Sequence, residues 1–187
     1  MDKFIPDMYQ KSIYHIDYDK LKEDGIKCLL FDLDNTCVPY KDKEPNKKLI
    51  DLFETLKDMD FKVIIFSNAG KKRLLPFKNT LKVDCSASSK KPSTKKLFKV
   101  IKTFDFNLSE VVIIGDQLYT DMLCGNRAGI KTILVNPMSK DDLLFTKLFR
   151  FLEKGKFKKM AKMGILKKGK YYEEEMYWLW DITTRYR

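Results

Sequence analysis

Short runs of valine, isoleucine and leucine alternate along this chain with segments whose apolar residues recur every three or four positions. The first pattern is that of strands buried on both faces, the second that of amphipathic helices. The pattern predicts strands over 26–32, 62–67, 82–86, 111–115 and 131–135, and helices over 45–58, 70–81, 93–104 and 119–128. Strands and helices in alternation indicate an α/β fold, a Rossmann-like parallel sheet covered by helices on both faces with right-handed crossovers. In such a sheet the ligand crevice lies at the carboxyl ends of the strands.

The chemistry-bearing residues fall at those ends. Leu29-Leu30-Phe31 runs into Asp32-Leu33-Asp34-Asn35-Thr36, two carboxylates one residue apart. Residues i and i+2 of an extended strand share a side, so the two acids repel unless a hard cation is near or one keeps a proton. Val63-Ile64-Ile65-Phe66 ends in Ser67-Asn68, and Lys90-Lys91-Pro92 places a cation before a helix that Pro92 can start. Val111-Val112-Ile113-Ile114 ends in Gly115-Asp116, with Asp121 five residues on. Each piece alone has a plain structural reading, since short acidic and hydroxyl residues cap helices and turns. Their order and common placement point to a phosphate site.

Aspartate pair, serine, lysine and Gly-Asp, in that order, resemble the haloacid dehalogenase-like hydrolases, and within them the YqeG-like phosphatases of subfamily IIIA. The lead-in, with Ile5-Pro6, Tyr9, Ser12-Ile13, Ile16, Leu21 and Gly25-Ile26-Lys27, adds to the likeness, which spans residues 1–138. The resemblance implies a Mg2+-dependent phosphomonoesterase. Asp32 is its nucleophile and forms an aspartyl-phosphate; Asp34 is the general acid and base. Mg2+ is held by the Asp32 carboxylate, the Asp34 carbonyl and Asp116. Ser67 and Lys91 hold phosphoryl oxygens, with the backbone near Asn35 and Asn68 and the Thr36 hydroxyl or turn completing the cradle. Asp121 steadies Lys91 or a metal water, or caps the helix over 122–128. Lys90 competes with Lys91 for the phosphate; Lys91 is preferred because it immediately precedes Pro92.

Spacing adds a restriction. One helix and one strand fill the interval from Asp34 to Ser67, and one helix and a short extended segment fill that from Asn68 to Lys91, leaving no room for an inserted cap domain. An open site suits a large substrate, a surface-bound one, or a lid brought by another molecule.

Composition changes little in this picture until the tail. At 187 residues and 44% apolar content the chain can build a packed core. Cys28, Cys37, Cys85 and Cys124 show no metal-type spacing and read as reduced, mostly buried thiols of a cytoplasmic protein. The lone His15 excludes a multi-histidine metal centre. No apolar run approaches the roughly 20 residues that span a bilayer, nor is there a signal peptide.

Charge concentrates in the extension at 139–187. Within 150–170, Arg150 and eight lysines stand against Glu153 alone, a net +8 of the chain's +11. Leu144, Leu148, Phe151, Leu152, Phe157, Met160, Ala161 and Met163 predict an amphipathic helix interrupted at Gly155, and Tyr171, Tyr172, Tyr177, Trp178 and Trp180 follow. Residues 143–170 suit the surface of an anionic membrane, as for a peripheral protein at the inner membrane face. Nucleic acid is the lesser alternative, and a helix packed on the core with a solvated lysine face is the plain one.

YqeG-like proteins are similar to mitochondrial phosphatases that act on phosphatidylglycerophosphate, whose headgroup stays at the bilayer surface. Phosphoprotein, polynucleotide 3′-phosphate and phosphosugar are the other substrate classes. The non-enzymatic alternative is a Mg2+-, RNA- or ribosome-associated binding protein.

Overall fold

The computed structural model describes residues 3–139 and 144–171. Among these, β1 (Met8–Gln10), β2 (Cys28–Phe31), β3 (Lys62–Phe66), β4 (Asp84–Ser86), β5 (Val111–Gly115) and β6 (Lys131–Val135) form one sheet. The spatial order is β1-β6-β5-β2-β3-β4, with all neighbours parallel. The helices are α1 (Tyr18–Glu23), α2 (Lys47–Asp58), α3 (Lys71–Leu81), α4 (Lys95–Thr103), α5 (Leu123–Ala128) and α6 (Leu144–Lys162).

The unbroken apolar runs are explained by two cores. Leu29, Phe31, Val63, Ile65, Val112 and Ile114 pack with Leu49, Phe53 and Leu56 of α2 and Phe77 of α3. Alternate residues Cys28, Leu30, Ile64, Phe66, Val111 and Ile113 pack with Leu97 and Ile101 of α4 and Cys124 of α5. Every position of β2 is therefore buried, on one face or the other, and each large side chain so enclosed contributes roughly 1.5–3 kcal/mol.

Connectivity positions the site. From β2 the chain proceeds outward through β3 to β4, then crosses to β5 and on to β6, so the strand order reverses beside β2. Such a reversal opens a crevice at the carboxyl ends of the strands. Asp32, Ser67 and Asp116 are the residues immediately after β2, β3 and β5, three adjacent strands.

Several boundaries differ from the sequence expectation. β1 and α1 lie in the lead-in, where no strand or helix is predicted; β1 is held beside β6 by Met8 opposite Ile133 and by Asp7, whose carboxylate accepts from Thr132. Pro92 does not start α4, which begins at Lys95. The helix expected over 119–128 comprises a wide turn, Leu118–Met122, that runs into α5. Gly155 does not interrupt α6. Glycine costs a helix interior about 1 kcal/mol, which the anchoring of Glu153, Phe157 and Met160 on the body outweighs. The extension thus packs on the domain: Met160 and Leu166 bury against Tyr9, Leu118, Met122 and Leu134. Tyr172, Tyr177, Trp178 and Trp180 lie outside the described residues.

Candidate active site

Lys91 is the hub of the cluster. Its Nζ lies 2.6 Å from Asp32 Oδ1 and 2.6 Å from Asp121 Oδ1, with all three side chains buried. Burial opposes the Lys91 charge, but Asp121 and Asp32 outweigh it and hold its pKa above the ordinary value. Asn68 fixes the segment that carries it, accepting from the Lys91 N–H at 2.7 Å and donating to the Lys91 carbonyl at 3.1 Å. Lys90 is exposed and takes no part. Asp32 itself is pushed up to about 7, first by burial and then by Asp121 and Asp116, with Lys91 opposing.

Asp121 owes its position to Gly115. A Cβ there would meet Asp121 Cγ at 2.2 Å, so a glycine ends β5 where the turn folds back. The carboxylate also accepts from the Gln117 N–H at 3.1 Å. Asp116 accepts from the Thr36 hydroxyl at 2.8 Å, which places Thr36 behind the carboxylates rather than in the pocket lining. Asn35, in the left-handed region with φ of 64°, spends its N–H on Val38 O and accepts from Ser139 Oγ at 2.7 Å through its carboxamide oxygen.

Two arginines in the site were not singled out from the sequence. Arg73, in the first turn of α3, donates to Asp34 Oδ1 from Nε at 3.0 Å and from Nη2 at 2.8 Å. Arg150, from α6, lies against the Asp116 carboxylate and donates to the Asp116 carbonyl at 2.7 Å. Its neighbour Glu153 accepts from the Leu118 N–H at 2.6 Å and is pushed up to about 7 by burial. Arg73 stands beside Lys71 and Lys72, and Arg150 opens a lysine-rich tail. In such company an arginine is conspicuous only through its planar fork, which suits carboxylates better than an ammonium does.

Part of this cluster borders a pocket of about 640 Å3, while Asp116, Asp121 and Arg150 stand outside its lining. Asp32, Asp34, Ser67, Asn68, Arg73 and Lys91 contribute to its polar lining, and Phe149 of α6 lines it as well. A groove of about 530 Å3 beside β4, edged by Lys71, Lys78, Lys96 and Lys99, has no carboxylate in its lining.

The acidic residues fit a divalent ion. Asp32, Asp116 and Asp121 each bring one oxygen within 4.8 Å of the others, all three buried, and carboxylate oxygens suit a hard cation. The Asp34 carboxylate is outside that group and is paired with Arg73. Cys37 donates to the Asp32 carbonyl at 3.1 Å; burial keeps its thiol pKa well above the ordinary value, so it is a packing residue.

A parallel sheet whose order reverses beside an Asp-x-Asp strand end, with lysine and further aspartates gathered there, defines a phosphatase of the haloacid dehalogenase-like class. More narrowly, the chain belongs to the family described as mitochondrial PGP phosphatase, whose model matches residues 1–139. It is 37% identical over 151 residues to the probable phosphatase YqeG of Bacillus subtilis, covering 81% of this chain and 88% of that one. It is 27% identical over 175 residues to phosphatidylglycerophosphate phosphatase 1, chloroplastic/mitochondrial, of Arabidopsis thaliana, covering 86% of this chain and 49% of that protein. The chain thus spans about half the length of the plant protein. Among solved structures, an uncharacterized protein from Listeria monocytogenes superposes with a TM-score of 0.50 at 18% identity, over 64% of this chain and 86% of that one. That last likeness concerns the fold alone.

Proposed function

We propose that this chain is a Mg2+-dependent phosphomonoesterase that works through an aspartyl-phosphate on Asp32 and acts on a lipid phosphomonoester of the phosphatidylglycerophosphate type at a membrane surface. The observation that carries the chemistry is the buried Asp32–Lys91–Asp121 chain at the strand ends. Lys91, held charged, neutralises the phosphoryl group and keeps the Asp32 carboxylate in place for in-line attack. Ser67 and the N–H groups after it meet the remaining phosphoryl oxygens. Asp34 gives its proton to the leaving oxygen and then takes one from the water that opens the aspartyl-phosphate. Asp32, the Asp34 carbonyl and Asp116 would hold the Mg2+, and Asp121 brings a third buried carboxylate oxygen to the same group. When bound, the ion supplies positive charge that offsets the phosphoryl oxygens and lets a carboxylate approach them.

The lipid substrate is supported by the relatives' names and by α6. Phe151 and Leu152 are exposed on that helix and Met163 just after it, interspersed with exposed Lys154, Lys158, Lys159 and Lys162. Basic residues near an anionic leaflet contribute about 1 kcal/mol each, and apolar side chains settle at its interface. The same helix reaches the site through Phe149, which lines the pocket, and through Arg150, which pairs with Asp116. Among the described residues no helix is long and apolar enough to cross a membrane. The test is phosphate release from phosphatidylglycerophosphate in anionic vesicles, compared with an aryl phosphate, a phosphosugar, a phosphopeptide and a 3′-phosphorylated oligonucleotide. Preference for the lipid that disappears in neutral vesicles supports the surface reading; equal turnover of all substrates contradicts it.

A further inference from the structure

Three basic residues, Lys71, Lys72 and Arg73, occupy the first turn of α3, which has no acidic residue there. Cations are disfavoured at a helix N-terminus, where the macrodipole is already positive. A sequence that breaks this local rule three times in one turn at a pocket edge has a reason elsewhere. For Arg73 the structure supplies it: Nε and Nη2 both donate to Asp34 Oδ1, at 3.0 and 2.8 Å.

The rest of the guanidinium is committed as well. Nη2 reaches the Tyr40 carbonyl at 3.3 Å and Nη1 donates to the Asp42 carbonyl. The guanidinium carbon lies 4.9 Å from the centroid of the buried Phe77 ring, one helical turn on. The fork is thus stacked beneath and bonded at its edges to a carboxylate and two carbonyls of the 34–42 loop. Both bonds go to Oδ1, and among the described residues nothing donates to Asp34 Oδ2, so the tether engages one carboxylate oxygen and leaves the second for chemistry.

We infer that Arg73 is a positioning residue that aims the Asp34 carboxylate at the leaving oxygen, fixing the acid through one oxygen so that the other can exchange the proton. The inference rests on the acid–base role proposed for Asp34. As an Asp32 oxygen bonds to phosphorus, the bond from phosphorus to the ester oxygen breaks. Its electron pair stays on that oxygen, which takes the proton from Asp34. A water later returns a proton to Asp34 as its own oxygen bonds to phosphorus and frees Asp32. Arg73 supplies no atom to either step. A lysine in its place offers one point donor group and cannot span a carboxylate and two separate carbonyls.

The experiment compares first-turnover release of the leaving group from p-nitrophenyl phosphate, whose phenolate departs without a proton, and from glycerol phosphate, whose alkoxide needs one. It uses the full chain with Mg2+, as wild type, Arg73→Met, Arg73→Lys, Asp34→Asn and the Arg73→Met/Asp34→Asn pair, with melting temperatures to confirm folding. Removing proton transfer costs about 100-fold or more. Arg73→Met is therefore expected to slow glycerol release about 100-fold and nitrophenolate release far less, with little change in KM for either. Arg73→Lys should recover part of the loss. The double variant should be no slower than Asp34→Asn alone, because a residue that acts through another adds nothing once that one is gone. Equal losses on both esters, a KM raised alike for both, or additive losses in the double variant would overturn the inference. Absence of leaving-group release from either ester by the wild type would instead overturn the catalytic reading of the site.

Discussion

The Arg150 guanidinium rests on the carboxylate of Asp116, joining α6, which follows the family-matched region, to the end of β5 at the centre of the sheet. Asp116 has no exposed side-chain surface, so this contact and the Thr36 hydroxyl supply its charge compensation within the protein. A divalent ion bound by the same carboxylate meets a fixed positive charge already there.

Replacing Arg150 by glutamine is therefore expected to destabilise the metal-free protein, since stripping one partner from a buried pair costs on the order of 3 kcal/mol. The same change should tighten Mg2+ binding about tenfold, equivalent to about 1.4 kcal/mol. Calorimetric titration and melting in EDTA check both. The Mg2+-loaded variant should regain most of the lost melting temperature, because a ligand that binds only the folded state stabilises it.

Gly115→Ala should damage stability and activity together. The added methyl would overlap Asp121 Cγ at 2.2 Å, so either β5 or the Asp121–Lys91 pair must move. Overpacking of this kind costs about 1–3 kcal/mol, readable as a lower urea midpoint at unchanged slope.

Burial raises both Asp32 and Glu153 to about 7, from ordinary values of 3.8 and 4.5. A carboxyl whose pKa is raised on folding binds its proton more tightly in the folded state, so its contribution is full below the unfolded value. It is lost as pH climbs through the folded one. The metal-free protein should accordingly lose stability between about pH 4 and pH 7. Mg2+ bound through Asp32, as proposed, should be taken up with proton release below pH 7 and should flatten that loss. Glu153→Gln should shrink the loss in EDTA, and melting curves across pH with EDTA or Mg2+ read all three effects.

The core of this site could be read from the chain because β2, β3 and β5 are buried on both faces. Their apolar runs therefore end where the polar residues begin, and Asp32, Ser67 and Asp116 mark the same sheet edge. Lys91 could be told from Lys90 only by its place before Pro92, and the fold supplies the physical distinction: one side chain is buried between carboxylates and the other is exposed. β1 escaped notice because three residues carry no periodicity, and it is a strand only through its pairing with β6. Gly155 suggested a break that tertiary packing overrides. Arg73 and Arg150 act through partners 39 and 34 residues away in sequence, a relation no local pattern records.

Lys91→Met should be the most damaging single change away from Asp32. It leaves Asp32 and Asp121 buried side by side without their shared cation, for an expected loss of roughly 3–5 kcal/mol. Urea unfolding in EDTA measures it. Mg2+ should restore part of the stability but little of the turnover, since the ion replaces the charge and not the hydrogen bond to Asp32.

The central claim, that Asp32 carries the phosphoryl group in a metal-dependent reaction, is tested most directly by phosphate release from phosphatidylglycerophosphate in anionic vesicles, by wild type and Asp32→Asn, with Mg2+ and with EDTA. Release confined to the wild type with Mg2+, accompanied by a phosphoryl adduct on Asp32 after rapid acid quench, is the predicted result. Turnover by Asp32→Asn at a rate comparable to wild type, or undiminished turnover in EDTA, would contradict the account.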